Sequence, residues 1–229
     1  MIVWIASFPR SGNTFLRILL NRLYGVRSSV IYDVDGVAER LGRDLVGFEE
    51  RADTFEARRA SSEIHFIKTH AQRDERVHDA DPAICLVRDG RDALVSWARQ
   101  TSEAEPDTFE ARLHEMIERT GPRGTGSWGS NVLSWLQPPV PHRVVLPYVT
   151  LVANPLAAVE HAMSVTCPGL LRLPEATVPT FAELQALDGR FFRRGHVGTH
   201  RDELPNELHD LFWSHADNVA AMTSLGLGR

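Results

Sequence analysis

Short apolar runs alternate along this chain with segments in which apolar residues recur at helical spacing. The first run, at residues 2–6, reads Ile-Val-Trp-Ile-Ala, and its length and β-branched content predict a buried strand. From Asn13 onward the apolar residues fall on one face of a helix. Similar runs predict further strands at residues 64–67, 83–87 and 143–148. This alternation predicts an α/β fold with a mainly parallel central sheet.

Helical spacing marks most of the segments between and after these strands. The predicted helices cover residues 91–101, 127–137, 155–165, 181–187 and 205–225, with weaker ones at 37–41 and 48–59. In the segment at 127–137, Trp128 and Trp135 are expected to be core anchors. Residues 101–126 combine an acidic helix with a glycine-rich tail.

The composition is that of an ordinary globular protein, long enough for one large or two small domains. The 229 residues are 43% apolar and 24% charged, and the net charge of −5 does not suggest a nucleic-acid partner. The two cysteines, Cys85 and Cys167, give neither a metal motif nor a disulfide framework, which favours a reducing compartment. The sequence shows neither a signal peptide nor a membrane-spanning run, so we expect a cytoplasmic protein without a membrane partner.

A polar loop at residues 7–12, here called the phosphate loop, connects the first strand to the first helix. Strand, tight loop and helix aim backbone N–H groups and a positive helix end at an anion, which predicts a phosphate site. Side-chain donors are expected from Arg10, Ser11, Asn13 and Thr14. The loop is not of the nucleoside-triphosphate type, because Gly12 is its only glycine and no lysine follows.

Polar residues also follow the other predicted strands. Lys68 and His70 come directly after the second, and Arg88 follows the third, eight residues before Ser96. Because ligands of parallel sheets lie at the carboxyl ends of strands, these side chains are expected near the phosphate loop. Arg91 and Asp92 are expected to be solvated or to cap the helix. The fourth strand ends at Tyr148.

The stretch SFPRSGNTFLR closely resembles the 5′-phosphosulfate loop of sulfotransferases, T-Y-P-K-S-G-T-T-W, and the opening resembles the bacterial glycopeptide-modifying members in particular. Lys68-Thr69-His70 resembles the family's K-T/S-H triplet, and Arg88 and Ser96 have its Arg-to-Ser spacing. The late sequence Arg193-Arg194-Gly195 resembles its R-K-G-x-x-G element. Four departures stand out. Arg10 and Arg194 replace the usual lysines, His200 stands where the family often has tryptophan, and Tyr-Val-Thr-Leu from Tyr148 stands where the family has Y-E-D-L.

The resemblance implies a P-loop-like three-layer fold, formed by one domain over residues 1–229, that uses 3′-phosphoadenylyl sulfate (PAPS) as donor and releases 3′-phosphoadenosine 5′-phosphate (PAP). His70 is the implied general base, with Lys68 and Arg10 as charge-stabilising groups and no metal. The implied donor-binding residues are Arg10, Ser11, Gly12, Asn13, Thr14, Phe15, Arg88, Ser96, Tyr148, Arg193, Arg194 and Gly195.

The acceptor and two alternative functions stay open at this point. The acceptor is expected to be a small molecule, sugar or natural product that offers a hydroxyl or amine. A P-loop nucleotide kinase would need the missing Gly-Lys-Ser/Thr sequence, whereas a non-catalytic nucleotide-binding protein would not need His70. Residues 101–126 are expected to be either a lid over the acceptor pocket or a plain surface insertion.

Overall fold

The computed structural model describes residues 1–118, 121–193 and 195–229 and contains a five-stranded sheet. The strands are β1 (Ile2–Ser7), β2 (Ser28–Val30), β3 (His65–Thr69), β4 (Ala83–Val87) and β5 (Arg143–Pro147). Their order is β2-β3-β1-β4-β5, and every neighbouring pair is parallel. The predicted parallel α/β fold is therefore confirmed. β2 was not predicted, because two of its three residues are serines.

Helices cover both faces of this sheet. In chain order they are α1 (Asn13–Tyr24), α2 (Gly36–Leu41), α3 (Phe55–Ala60), α4 (Gly90–Thr101), α5 (Phe109–Glu118), α6 (Trp128–Leu136), α7 (Tyr148–Ala153), α8 (Pro155–Thr166), α9 (Phe181–Leu187), α10 (His200–Glu203), α11 (Asn206–Ser214) and α12 (Ala216–Ser224). Val3 and Ile5 of β1 pack with α1 and α8 on one face. Trp4 packs with Trp135 of α6 and Phe55 of α3 on the other. This alternation along β1 produces three layers.

The register of the sheet brings the carboxyl ends of its central strands to one edge. Ala6 pairs with Thr69, the residue before His70, and Ser7 pairs with Leu86, two residues before Arg88. The phosphate loop leaves β1 at this edge. The polar residues that follow separate strands in the sequence therefore converge, as the parallel arrangement predicted.

Three predicted elements differ in extent from the observed ones. Tyr148 does not end the fourth strand but begins α7, because Pro147 fixes its own φ and lacks an N–H for the sheet. The helix predicted at 205–225 is split into α11 and α12 at His215, which has extended backbone angles. Only the end of the segment 48–59 is helical, starting after the Thr54 N-cap. Both tryptophans of α6 are buried core residues, as predicted.

The segment 101–126 is partly built into the core. α5 buries Phe109, Leu113 and Ile117 in a cluster with residues of α4 and α11. Pro122, Arg123 and Thr125 instead line a cavity at the sheet edge. Its predicted movement as a lid stays a prediction, and Arg119 and Thr120 lie outside the described residues. Within the described ranges, none of the helices has the length and apolar character needed to span a bilayer.

Candidate functional site

The phosphate loop has the backbone conformation of an anion site. Arg10 and Gly12 both have positive φ angles, 61° and 99°, and α1 begins directly after Gly12. Within the described ranges no side chain caps the helix start, and no acidic residue occupies its first turn, so its first N–H groups lie at the cavity without a competing carboxylate from the helix itself. A Cβ on Gly12 would lie 2.7 Å from Cδ2 of Tyr148, so the absence of a side chain there is a requirement of the packing.

A cavity of about 1210 Å³ opens at this edge of the sheet. The predicted site residues that line it are Arg10, Gly12, Asn13, Thr14, Phe15, Lys68, His70, Arg88, Ser96, Tyr148, Arg193 and Gly195. Ser11 is not among them, and its buried Oγ has no partner in the described part of the chain. Arg194 lies outside the described residues. Among those described, no group of three or more His, Cys, Asp and Glu side chains is arranged to hold a metal ion.

Arg10 reaches from the phosphate loop across to α4 and the late loop (residues 188–199). Its Nε donates to Ser96 Oγ at 3.3 Å, and Nη2 donates to the Phe191 carbonyl at 3.1 Å. The guanidinium also lies 4.5 Å from the centroid of the Phe191 ring. Desolvation, followed by the charge of Arg88, lowers the pKa of Arg10 to about 10. No carboxylate among the described residues forms an ion pair with it, so its charge is available to an anion.

Arg88 supports the phosphate loop from the other side. Its Nη1 donates to the Arg10 carbonyl at 3.0 Å and its Nη2 to the His196 carbonyl at 3.1 Å. The guanidinium stacks 4.5 Å from the Tyr148 ring centroid, and its buried Nε lacks a partner in the described chain. The structure therefore brings Arg88 and Ser96 together through Arg10, each bonded to a different atom of that residue.

Asp92 is fully buried, so the expectation that it is solvated is wrong. It accepts hydrogen bonds from the backbone N–H groups of Gly198 and His200 at 2.7 and 2.9 Å, and from His200 Nδ1 at 2.7 Å. Burial alone would raise the pKa of Asp92, but these bonds and the charge of Arg88 bring it to about 2. Asp92 thus fastens the late loop to α4. Sequence reasoning missed it, because its partners lie more than a hundred residues further along the chain.

Arg193, in the same loop, is bound by a carboxylate. Its Nη2 donates to Glu203 Oε1 at 2.8 Å, and Glu203 also accepts from Arg99 Nε at 2.9 Å. Gly195 has φ 62°, and a Cβ there would lie 2.4 Å from Cε2 of Phe181. The glycine therefore lets the loop pass close to an aromatic wall of the cavity.

His70 directly follows β3 and is held as a neutral imidazole. Its Nδ1 lies 2.9 Å from the Ser7 carbonyl, which can only accept, so Nδ1 carries the proton and Nε2 keeps its lone pair. Desolvation, followed by the charge of Lys68, holds the pKa of His70 well below 6.5. Ser7 Oγ also lies 3.2 Å from Nδ1 and accepts from Asn13 Nδ2 at 3.1 Å. The Asn13 amide thus faces β1, which leaves its backbone N–H as the donor for a phosphate.

Lys68 lies beside His70 and is only 6% exposed. Its Nζ is 5.1 Å from the ring centroid of Tyr32, whose hydroxyl accepts from the His70 backbone N–H at 2.5 Å. Desolvation, assisted by the charges of Arg17 and Arg123 and opposed by Asp35, lowers the pKa of Lys68 to about 8. Sequence reasoning missed Tyr32, because it follows β2, the strand that the apolar pattern did not reveal.

The chain matches the sulfotransferase domain family over residues 2–165. Two fruit-fly proteins of the WSCD family are similar to it: member GA21586 of Drosophila pseudoobscura pseudoobscura is 29% identical over 140 residues, and member CG9164 of Drosophila melanogaster is 29% identical over 136. These matches cover 59% and 57% of this chain and 40% and 39% of the relatives. The chain therefore spans about two fifths of the length of these curated relatives.

Two solved structures share the fold. Mouse sulfotransferase SULT7A1 complexed with PAP has a TM-score of 0.64 at 16% identity, covering 98% of this chain and 88% of that one. Retinol dehydratase, in complex with androsterone and the inactive cofactor PAP, has a TM-score of 0.64 at 18% identity, covering 100% and 82%. The match over residues 2–165 shows that the chain, with its parallel sheet and phosphate loop, belongs to the sulfotransferase domain family.

Proposed function

We propose that this chain is a sulfotransferase that moves the sulfuryl group of PAPS to a hydroxyl or amine of a small-molecule, sugar or natural-product acceptor. The observation that carries the proposal is one cavity in which the uncapped start of α1, Arg10 and the free Nε2 of His70 lie together. The two solved structures align with 98% and 100% of the chain, which supports a single domain over residues 1–229.

The phosphate loop and its supports fit a donor with two phosphate groups. The open helix start and Arg10 offer positive charge for a 5′-phosphosulfate. Arg88, with its unpartnered buried Nε, and Ser96 line the same cavity and would bind a 3′-phosphate. Tyr148, Arg193 and the loop at Gly195 would enclose the remaining nucleotide. At about 1210 Å³ the cavity exceeds the roughly 300–1,000 Å³ of a typical ligand site, which leaves room for an acceptor.

His70 would act as the general base for the acceptor. When bound, the donor supplies the sulfuryl group and a phosphate leaving group. Nε2 of His70 takes the acceptor proton as the acceptor atom bonds to sulfur and the bond from sulfur to the phosphate oxygen breaks. Lys68 and Arg10 stabilise the negative charge on the sulfuryl oxygens and the departing oxygen, and neither needs a metal to do so.

Two measurements test the proposal. PAP should raise the melting temperature of the protein far more than AMP or ATP does, without magnesium. Turnover is then measured with radiolabelled PAPS against phenols, sugars and amines. His70→Ala should lower it on the order of 10²–10⁴-fold while PAP binding is nearly unchanged, with a smaller loss for a phenol than for a sugar hydroxyl.

His161→Ala, at an exposed position on α8, is the matched control and should behave like the wild type. Equal stabilisation by PAP and AMP would contradict the two-phosphate site. Wild-type turnover of a sugar or alcohol by His70→Ala would show that another group is the base. PAP binding without turnover of any acceptor class would favour a non-catalytic nucleotide-binding protein.

A further inference from the structure

Arg123 shares an unusual backbone conformation with Arg10. Among the described residues other than glycine, only these two have a positive φ, 61° at Arg10 and 57° at Arg123, and both line the cavity. This conformation is costly for a residue with a side chain and tends to occur at functional sites. Arg10 belongs to the phosphate loop, whereas Arg123 belongs to the loop at residues 121–126, for which the proposed function gives no role.

The loop at residues 121–126 is fastened to the residues that follow β3. Asn131 Nδ2 donates to the carbonyls of both His70 and Thr125, each at 2.9 Å. The Gln72 backbone N–H donates to the Gly124 carbonyl at 2.8 Å. Arg123 is therefore held at a fixed position relative to the base, although its own side chain is exposed.

Arg123 and Lys68 form an uncompensated positive region beside His70. Both cations lie near the Tyr32 ring, Lys68 at 5.1 Å and Arg123 at 5.8 Å from its centroid. Neither forms an ion pair with a carboxylate in the described part of the chain. The nearby Asp35 is already bound to Arg17 at 2.6 Å and is almost fully buried.

We infer that the preferred acceptor carries a carboxylate, which Arg123 binds while the acceptor hydroxyl lies at His70 Nε2. This inference rests on the proposed function and specifies its acceptor. A planar guanidinium can bind a carboxylate through two parallel hydrogen bonds, and the Tyr32 ring holds the guanidinium beside it. A carboxylate there would also offset the repulsion between Arg123 and Lys68. A neutral acceptor makes neither interaction.

The test compares 4-(hydroxymethyl)benzoate with its methyl ester. The two differ only in that the ester carries a methyl group on the carboxylate and is therefore neutral. Binding of each is measured by titration calorimetry in the presence of saturating PAP. The wild type should bind the acid about tenfold more tightly than the ester, the lower end of the range for a charged hydrogen bond because Arg123 is exposed. With PAPS, kcat/KM should show the same preference.

Arg123→Gly should abolish this preference. Glycine adopts a φ of 57° without strain, so the variant keeps the loop and its effect is not misfolding. Arg190→Gln, which removes another cavity-lining arginine with a highly exposed side chain, should keep the preference.

Three results would overturn the inference and leave the proposed function standing. The wild type could bind acid and ester equally, it could bind neither, or the preference could survive in Arg123→Gly. Failure of PAP to bind would overturn the proposed function and this inference with it.

Discussion

Lys68 is a charged group that the fold holds away from water without a carboxylate partner among the described residues, and replacing it should stabilise the ligand-free protein. Its pKa is lowered from 10.5 to about 8, chiefly by desolvation. Such a shift means that the folded state binds the lysine proton less tightly than the unfolded state does. Lys68→Met keeps a long side chain of similar shape and removes the charge.

The size of the effect follows from the pKa. One pKa unit corresponds to about 1.4 kcal/mol, so at pH 7, where the lysine is charged in both states, Lys68 costs about 3 kcal/mol. As the pH rises through 8 the folded state loses this proton first, and the cost diminishes until the unfolded lysine also titrates near 10.5. At pH 9.5 about half of this cost remains.

Urea denaturation at pH 7 and pH 9.5 measures both values. Lys68→Met should be more stable than the wild type by about 3 kcal/mol at the lower pH and by about half of that at the higher one. Lys68→Arg is the control, because its guanidinium stays charged at both pH values and its difference from Lys68→Met should not shrink. A Lys68→Met protein no more stable than the wild type at pH 7 would refute the reasoning, as would a difference independent of pH.

Two further predictions concern His70 and Asp92. Desolvation and the charge of Lys68 both lower the pKa of His70, so the acid limb of the kcat/KM profile should lie below pH 6.5. Lys68→Met should move this limb to higher pH, because it removes one of the two causes. Both statements are checked by measuring kcat/KM between about pH 5 and 8. Asp92→Asn should lose about 2–3 kcal/mol of stability at pH 7, measured with urea, since partly buried donors of Gly198 and His200 lose a charged, fully buried acceptor. The folded pKa of about 2 lies below the usual 3.8, so this contribution is present above pH 4 and is lost as the pH falls toward 2. A wild-type limb above pH 6.5, or unchanged stability of Asp92→Asn, would contradict these statements.

The sheet and its polar edge could be predicted because each depends on local sequence. β1 and β4 are continuous apolar runs, and a parallel sheet brings whatever follows such runs to one edge. β2 could not be predicted because its own sequence, Ser-Ser-Val, is not an apolar run. Ser28 belongs to this strand because its backbone pairs with Phe66 and its hydroxyl accepts from Arg17, and neither partner is visible from the strand's own sequence.

The residues that arrange the site were harder to predict because their partners are distant in the chain. The sequence around Asp92 has the composition of a charged turn, and nothing local shows that the late loop returns to cover it. Arg123 follows a proline and precedes a glycine, which predicts a turn but not the cavity that it faces. Such residues become functional candidates only when tertiary contacts are known.

The buried cations that line the cavity differ from Arg17, a buried cation outside it, in whether a carboxylate is bound to them. Arg17 of α1 is buried, does not line the cavity, and is bound to Asp35 at 2.6 Å, so the fold supplies this cation with a carboxylate. Arg10 and Lys68 are shielded enough for their pKa values to fall to about 10 and about 8, yet in the described chain neither has such a partner, and both line the cavity. Because an uncompensated charge in this environment lowers stability, its retention is best explained by a negative charge that arrives with a ligand. The same reasoning explains why Lys68→Met is expected to stabilise the protein and impair the reaction at once.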